Sequence, residues 1–275
     1  MTSLLEKKLL TPVQIGWLTL SHRVVMPAMS RLRAQPGSGI PSDLMLEYYR
    51  QRASHGGFIV SEATAIAASA RGYYHAPGLY TKEQEAGWSR VTDAVHAKGG
   101  YMFAQLWHAG RTTHSAITGT EPVTASVDPA YAAASHVLVD TPEGFLPPSP
   151  HRALDKAEIA DVLTQYAEAA LHAKKAGFDG VEIMAANGHL IDFYKTTATS
   201  GPIRTAVRSR TARVFSSRSS GLWPMSGGGS GSGCASRRAE PIMAWPTAIR
   251  VRCFTTWQRA SIASGSLTCI SSSRG

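Results

Sequence analysis

The side chains best suited to chemistry follow a short apolar run, Val181 to Ile183. Asn187 and His189 come directly after it, and they bring an amide that donates and accepts hydrogen bonds and an imidazole that titrates near neutral pH. An Ala-rich helical pattern ends at Gly177, just before the run. The stretch therefore predicts a helix, a buried parallel strand and a strand-end loop. In a barrel of alternating strands and helices, that loop carries catalytic side chains.

Three earlier apolar runs are also followed by polar or small residues. These predicted strands are residues 24–26, 58–60 and 101–106. Helical patterns separate the strands, from Ser42 or Asp43 to about Gly56, from Glu83 to Ala97 and from Asp155 to Ala176. Strands alternating with helices predict a parallel sheet with helices outside it. Four such units, within residues 1–192, make the first half of a (β/α)8 TIM barrel, an α/β fold.

A long loop from Thr118 to Pro150 interrupts this alternation. It contains six prolines and few charges. A loop of that length is too long to be a mere connector, so we expect a lid or a folded excursion.

Composition places limits on the class of protein. Hydrophobic residues make up 43% of the 275 residues, which is enough for a real core. No apolar run approaches the length that spans a bilayer, and no apolar stretch follows the charges at the N-terminus. The sequence therefore predicts neither a membrane span nor a signal peptide, and the expected compartment is the cytoplasm.

The formal net charge of +9 is unevenly distributed. Residues 201–275 hold eleven of the 28 basic residues and one of the 19 acidic residues, so the first two hundred residues are close to neutral. All three cysteines, Cys234, Cys253 and Cys269, fall in the same tail without the close pairing of zinc sites. Neither a disulfide framework nor a metal site is predicted.

Seven short motifs follow one another along the chain. They are SHRVVM at 21–26, EYYRQRA at 47–53, SEAT at 61–64, GW at 87–88, VTDAVH at 91–96, QLWHAGR at 105–111 and GFDGVEI at 177–183. Together, and in this order, they resemble the Old Yellow Enzyme family of FMN-dependent oxidoreductases. The resemblance implies a (β/α)8 barrel that takes hydride from NAD(P)H onto FMN. It also implies that the hydride passes to the β-carbon of an α,β-unsaturated carbonyl or a similar electrophilic acceptor.

The resemblance also implies a set of cofactor-binding positions. Gln105 would hydrogen-bond the pyrimidine side of the flavin through its amide, and Ala63 would offer backbone to the ring. Ser30 falls where the family has a hydroxyl or thiol that tunes the flavin, with Ala28 and Met29 beside it. On local evidence alone, Ala63 could equally be a small packing residue.

The implied catalytic positions depart from the family pattern. The family has His-x-x-Asn or His-x-x-His followed by Gly-Tyr, which supply two donors to the substrate oxygen and a tyrosine proton donor. Here those slots hold Met184, Asn187 and His189. Met184 cannot donate a hydrogen bond, whereas His189 could still protonate a carbanion or simply face solvent. Trp107 would wall the substrate pocket, although a barrel aromatic is more often a core residue.

Similarity to the family sequence stops after Asp192, and translation in a shifted reading frame restores it. Residues 193–202 can be back-translated as TTC TAC AAG ACA ACA GCA ACA AGC GGA CC. Starting at the third base gives Leu-Gln-Asp-Asn-Ser-Asn-Lys-Arg-Thr, which is the missing family motif. Further downstream, Thr205 to Arg208 permits Tyr-Gly-Gly-Ser, and Thr211 to Ser217 permits Asn-Arg-Ala-Arg-Phe-Leu-Leu. We therefore interpret residues 193–275 as a frame-shifted, Arg/Ser/Gly-rich tail that forms no domain.

The sequence thus predicts an FMN-dependent ene reductase by descent, with NAD(P)H as reductant and impaired activity in the chain as written. The alternative is a non-enzymatic basic protein that binds nucleic acid through the Arg-rich tail. Under the favoured reading, the partner is a small electrophilic acceptor, without nucleic acid or membrane. A half barrel leaves strand edges near Val24, Val25, Val181 and Ile183 unpaired, so we expect self-association.

Overall fold

The computed structural model describes residues 8–134, 136–195 and 253–254. In chain order the strands are β1 (Val13–Ile15), β2 (Leu18–Leu20), β3 (Val25–Met26), β4 (Phe58–Val60), β5 (Thr64–Ala65), β6 (Tyr101–Trp107), β7 (Val123–Thr124), β8 (Val139–Thr141), β9 (Gly144–Leu146), β10 (Arg152–Ala153), β11 (Gly180–Met184) and β12 (Cys253–Phe254). The helices are α1 (Asp43–Arg52), α2 (Lys82–His96), α3 (Ser115–Thr118), α4 (Tyr131–Ala134), α5 (Lys156–Lys175) and α6 (Leu190–Lys195).

A parallel sheet organises these elements. Its strand order is β12-β11-β6-β4-β3, with β5 pairing the carboxyl end of β6. Strands β3, β4, β6 and β11 are the four predicted strands, and α1, α2 and α5 are the three predicted helices. The α/β class and the first half of a (β/α)8 barrel are therefore confirmed. No helix among the described residues combines the length and the apolarity that crossing a bilayer requires.

The helices begin at well-formed caps and cover one face of the sheet. The Ser42 side chain accepts the Met45 N–H, and the capping boxes Thr81–Gln84 and Asp155–Glu158 open α2 and α5. Ile59, Met102, Ala104, Leu106, Val181 and Ile183 of the sheet pack against the helices in one buried cluster. Trp88 lies at its centre, fully buried, with ring centroids 6.0 Å from Tyr49 and 5.2 Å from Phe178.

An antiparallel hairpin, β1–β2, packs against the opposite face of the sheet. Leu18 and Leu20 are fully buried there. They pack against Phe58, Val60 and Phe103 of β4 and β6. The sequence did not indicate this hairpin, because three-residue strands are too short for a recognisable alternation.

The long loop between β6 and α5 is a folded excursion, as one of the two expectations had it. Within it β8 pairs β9, and β7 pairs β10 in parallel. Asp140 of β8 accepts hydrogen bonds from the backbone N–H (3.2 Å) and ring Nδ1 (2.6 Å) of His75. These contacts fasten the excursion to the segment after β5.

The outer edge of β11 differs from the prediction. Cys253–Phe254 pairs in parallel with Ile183 and Met184, so the prediction of an open fourth strand was wrong at those two residues, because β12 supplies backbone partners. At the other end β3 pairs only with β4 among the described residues, and Val24 beside it is 47% exposed. Helix α6 runs through the predicted boundary at residue 192. The other tail residues, 196–252 and 255–275, lie outside the described part, so the prediction of an unpacked tail stays a prediction.

Candidate active site

The carboxyl ends of β4, β6 and β11 meet at one edge of the sheet. Ala63, Trp107 and Met184 come from these ends and share one apolar cluster with Leu32, Tyr73, Ala76 and Ala109. The carboxyl edge of a (β/α)8 barrel is where active sites form. The structure therefore brings three of the predicted site residues into contact.

Trp107 forms the wall of this edge. It is 1% exposed, and its ring centroid lies 5.7 Å from that of Tyr73 and 5.1 Å from that of His189. A Cβ at Gly72 would lie only 2.0 Å from the Trp107 ring, so any larger residue at position 72 would displace the indole. The position of Trp107 is thus determined by packing on several sides.

Gln105 lies on the interior face of the sheet, away from the helices. Its Nε2 donates to Glu182 Oε1 at 2.6 Å, and its backbone N–H donates to Ser61 Oγ at 2.9 Å. Burial raises the pKa of the Glu182 carboxyl, and the Gln105 hydrogen bond opposes this. Sequence reasoning missed Glu182. Its signal was the period-two alternation of β11, which places Gly180, Glu182 and Met184 on one face.

The loop after β3 carries the three predicted flavin-loop residues. Ala28 is half-buried against the cluster that the β1–β2 hairpin forms with β4 and β6, whereas Met29 and Ser30 are exposed. The next two backbone N–H groups, of Arg31 and Leu32, both donate to Glu62 Oε2, at 3.0 and 3.3 Å. The loop is therefore tied to the carboxyl end of β4.

Glu62 is itself held from the helix side. Its N–H donates to the Tyr49 hydroxyl at 2.8 Å, and the Tyr49 O–H donates to Oε1 at 3.4 Å. Glu62 is 1% exposed, and burial raises its pKa while the hydrogen bonds oppose the rise. Leu32 has φ 53°, a left-handed conformation that is costly for a branched side chain. The two N–H bonds to Glu62 Oε2 hold Leu32 in that conformation. The SEAT motif alone does not indicate this role.

The loop after β11 is a tight turn. Asn187 (φ 61°) and Gly188 (φ 73°) are both left-handed, and the Gly188 N–H donates to Asp192 Oδ2 at 3.0 Å. Asn187 is exposed, whereas Met184 is half-buried in the apolar cluster. The turn thus directs the chain back so that His189 meets Trp107.

His189 is half-buried, and burial lowers the pKa of its imidazole to about 4 despite an opposing hydrogen bond to the Ala109 carbonyl. Its Nδ1 lies 2.7 Å from Thr112 Oγ1 and 3.4 Å from the Ala109 oxygen. A neutral imidazole at pH 7 is a poorer acid than the hypothesis of a histidine proton donor requires. His108, also buried, has its pKa lowered to about 3 by burial first and by His189 second.

The described residues contain no group of three or more His, Cys, Asp or Glu that could hold a metal ion. The site instead combines an apolar wall, one amide–carboxyl pair and one neutral imidazole. Such a surface suits a flat, largely apolar ring with a polar edge.

Fold and site together define half of an α/β barrel with a ligand edge at the carboxyl ends of its strands. Residues 8–200 match the NADH:flavin oxidoreductase / NADH oxidase family, and the chain belongs to that family. The predicted resemblance to Old Yellow Enzyme is therefore confirmed.

Curated relatives give the same placement. The chain is 41% identical over 189 residues to 12-oxophytodienoate reductase 7 of Oryza sativa subsp. japonica, covering 68% of this chain and 47% of that protein. It is 44% identical over 190 residues to a flavin oxidoreductase of Emericella nidulans, covering 67% and 47%. The chain thus spans about half the length of the curated relatives it matches.

Solved structures agree with the fold. An Old Yellow Enzyme homologue from Zymomonas mobilis has a TM-score of 0.66 at 39% identity, with 73% of this chain and 57% of that chain covered. Morphinone reductase in complex with tetrahydroNAD has a TM-score of 0.64 at 41% identity, with the same coverage.

Proposed function

We propose that the chain is by descent an FMN-dependent oxidoreductase of the ene reductase type. Bound FMN would supply the transfer of hydride from NAD(P)H to an α,β-unsaturated carbonyl or a related electrophilic acceptor. The observation that carries the proposal is the convergence of Gln105, Ala63 and Trp107 on one edge in a member of this family. We place the protein in the cytoplasm.

The residues present fit a flavin. The Gln105 side chain donates one amide N–H to Glu182. Its carbonyl oxygen and its second amide N–H form no hydrogen bond with the described residues. A donor and an acceptor are thereby left for the pyrimidine edge of a ring. Ala63 has a small side chain, so no large side chain at this position would obstruct a ring beside its backbone. Ser30, with Ala28 and Met29, would lie on the loop that Glu62 holds.

The substrate side of the site is weakened. Met184 replaces one hydrogen-bond donor to the oxygen on which negative charge develops, and Asn187 is the donor that remains. The loss of one such donor costs on the order of 10²-fold in rate in other enzymes. We therefore expect slower turnover than in relatives, even in a full-length barrel.

We further propose that residues 193–275 are translated out of frame. The family match ends at residue 200, and the chain covers 47% of relatives it matches. In this fold phosphate groups are frequently bound by the loops after strands seven and eight, and an out-of-frame tail would lack those loops. Charge-assisted contacts are about twice as strong as neutral ones, so the chain as written should hold FMN weakly.

The decisive observation is the gene sequence across the Asp192 codon. We expect an in-frame product of ordinary family length, which should purify yellow and oxidise NADPH with 2-cyclohexenone. The 275-residue chain, expressed in parallel, should lack flavin and activity. Stoichiometric FMN and enone reduction by the 275-residue chain would show that the missing half is not needed.

Two further expectations accompany this proposal. Among the described residues β3 has no strand partner on the side away from β4, and such an edge at Val24 and Val25 favours self-association. Sedimentation of the purified chain tests this; a monomer that unfolds cooperatively would contradict it. The nucleic-acid alternative gains no support from the comparisons. If fragment 201–275 bound RNA tightly, and if that binding weakened steeply as salt rises, the nucleic-acid alternative would be supported.

A further inference from the structure

The hydroxyl of Thr112 lies between two groups that both approach it closely. It donates to the Ala109 carbonyl oxygen at 2.6 Å, and it lies 2.7 Å from His189 Nδ1. A hydroxyl has one proton. Because Thr112 donates that proton to the hydrogen bond with the Ala109 oxygen, only a lone pair of its oxygen faces the imidazole. The 2.7 Å contact is therefore a hydrogen bond donated by Nδ1–H of His189. The Ala109 oxygen, 3.4 Å from Nδ1, is a second acceptor in the same direction.

The proton on Nδ1 determines what the other ring nitrogen can do. A neutral imidazole with Nδ1–H carries a lone pair on Nε2. Burial keeps the ring neutral well below pH 7, since its pKa is lowered to about 4. Among the described residues Nε2 makes no hydrogen bond, and the ring lies edge-on to Trp107 at 5.1 Å. The apolar edge of the site therefore has an unpaired acceptor beside it.

We propose that Thr112 is a positioning residue that fixes His189 as a hydrogen-bond acceptor, so that the site selects ligands carrying a hydroxyl or N–H donor next to an apolar ring. The inference rests on the proposed function only for the place where the ligand lies. It also implies that His189 does not supply the proton that completes reduction of an enone.

The tautomer is tested on the full 275-residue chain labelled with ¹⁵N-histidine. Solid-state ¹⁵N NMR reads sedimented protein as well as soluble protein, and His189→Asn identifies the signals of His189. We expect one protonated and one unprotonated nitrogen at pH 7, with Nδ1 protonated. Thr112→Val should mix the two tautomers, and Thr112→Ser should preserve the original one. Thr113→Val is the matched control, because it also removes a buried hydroxyl. That hydroxyl donates to the Arg71 oxygen at 2.7 Å. A protonated Nε2 in the unmodified chain would overturn the proposal.

Ligand choice is tested with two probes of similar shape. Cyclohexanol has a hydroxyl donor, whereas methoxycyclohexane has only an acceptor. Cyclohexanol should shift the Nε2 resonance in a saturable way, and methoxycyclohexane should not. Equal shifts, or none with either probe, would overturn the claim of donor selection. Neither measurement needs flavin, so a failure here is distinct from a frame-restored chain that fails to reduce an enone.

Discussion

The two faces of the central sheet are built from alternate residues of the same strands, yet they have different chemistry. The helix-facing side presents Ile59, Met102, Leu106, Val181 and Ile183, all packed in one apolar cluster. The interior side presents Phe58 and Phe103 nearer the amino ends of the strands. It presents Gln105 and Glu182 near the carboxyl ends. Burial raises the pKa of Glu182. An ionised Glu182 carboxylate therefore lowers the stability of the folded chain at neutral pH.

The contrast indicates a division of labour within each strand. Apolar burial on the helix side contributes roughly 25 cal/mol per Å², whereas buried carboxyls on the other side are costly unless they are well paired. Glu182 lies on that side, and Glu62 lies just beyond the carboxyl end of β4; each has a hydrogen bond to a group that lines the site. The interior edge is organised for binding, and the helix side stabilises it.

The largest expected effect comes from breaking the helix side. Trp88→Ala should lower the free energy of unfolding by about 3–5 kcal/mol, because it empties the centre of the main cluster. Leu44→Ala on α1 is the control, since Leu44 is 67% exposed and its loss should cost less than about 0.5 kcal/mol. Urea unfolding at low protein concentration measures both. Similar losses in the two variants would mean that this cluster does not dominate stability.

The next effect concerns the loop held by Glu62. Glu62→Ala removes the acceptor of the Arg31 and Leu32 N–H groups, so unfolding should become easier by about 1–3 kcal/mol. Trypsin should also cut faster after Arg31 and Arg33, because the loop loses its attachment to β4. Glu47→Ala is the control, since the Glu47 side chain is paired on the surface with Arg50. Unchanged cleavage in Glu62→Ala would leave the loop held by other contacts.

Local patterns were enough to predict the parallel strands and the three long helices that form the framework of the barrel half. Apolar runs and caps predicted β3, β4, β6 and β11 and helices α1, α2 and α5. The family resemblance then supplied Ala63, Trp107 and Met184 as site residues, and the structure brings them into one cluster. The role of Glu62 could not be predicted, because it depends on Tyr49 and on a loop 30 residues away meeting one carboxylate. The tautomer of His189 likewise depends on Thr112, 77 residues earlier. Such contacts exist only once the chain has folded, and no spacing in the sequence encodes them.

A smaller effect should follow from neutralising the interior carboxyl. The folded pKa of Glu182 is raised above its ordinary value, so ionisation favours the unfolded chain as pH rises through the unfolded pKa of about 4.3. Glu182→Gln should therefore stabilise the chain at pH 7, by up to about 1 kcal/mol, and have little effect near pH 4. Urea unfolding at both pH values measures this. Destabilisation at pH 7 would mean that the charged carboxylate is stabilised by Gln105 more than burial penalises it.

The smallest effect belongs to a surface ion pair on the helix side. His96 Nε2 lies 3.0 Å from Asp179 Oδ2, and hydrogen bonding to Asp179 raises the pKa of His96 above its ordinary value, against an opposing effect of burial. The pair therefore contributes fully below the unfolded pKa of about 6.5, and its contribution is lost as pH rises through the higher folded pKa. His96→Gln should cost less than about 1 kcal/mol at pH 5.5 and nearly nothing at pH 9. Asp179 also accepts the Met102 N–H at 2.7 Å, so Asp179→Ala, which removes both acceptor contacts, should cost more than His96→Gln at both pH values. Equal losses at pH 5.5 and pH 9 for His96→Gln would show that packing of the ring, and not its charge, stabilises the contact between α2 and the segment before β11.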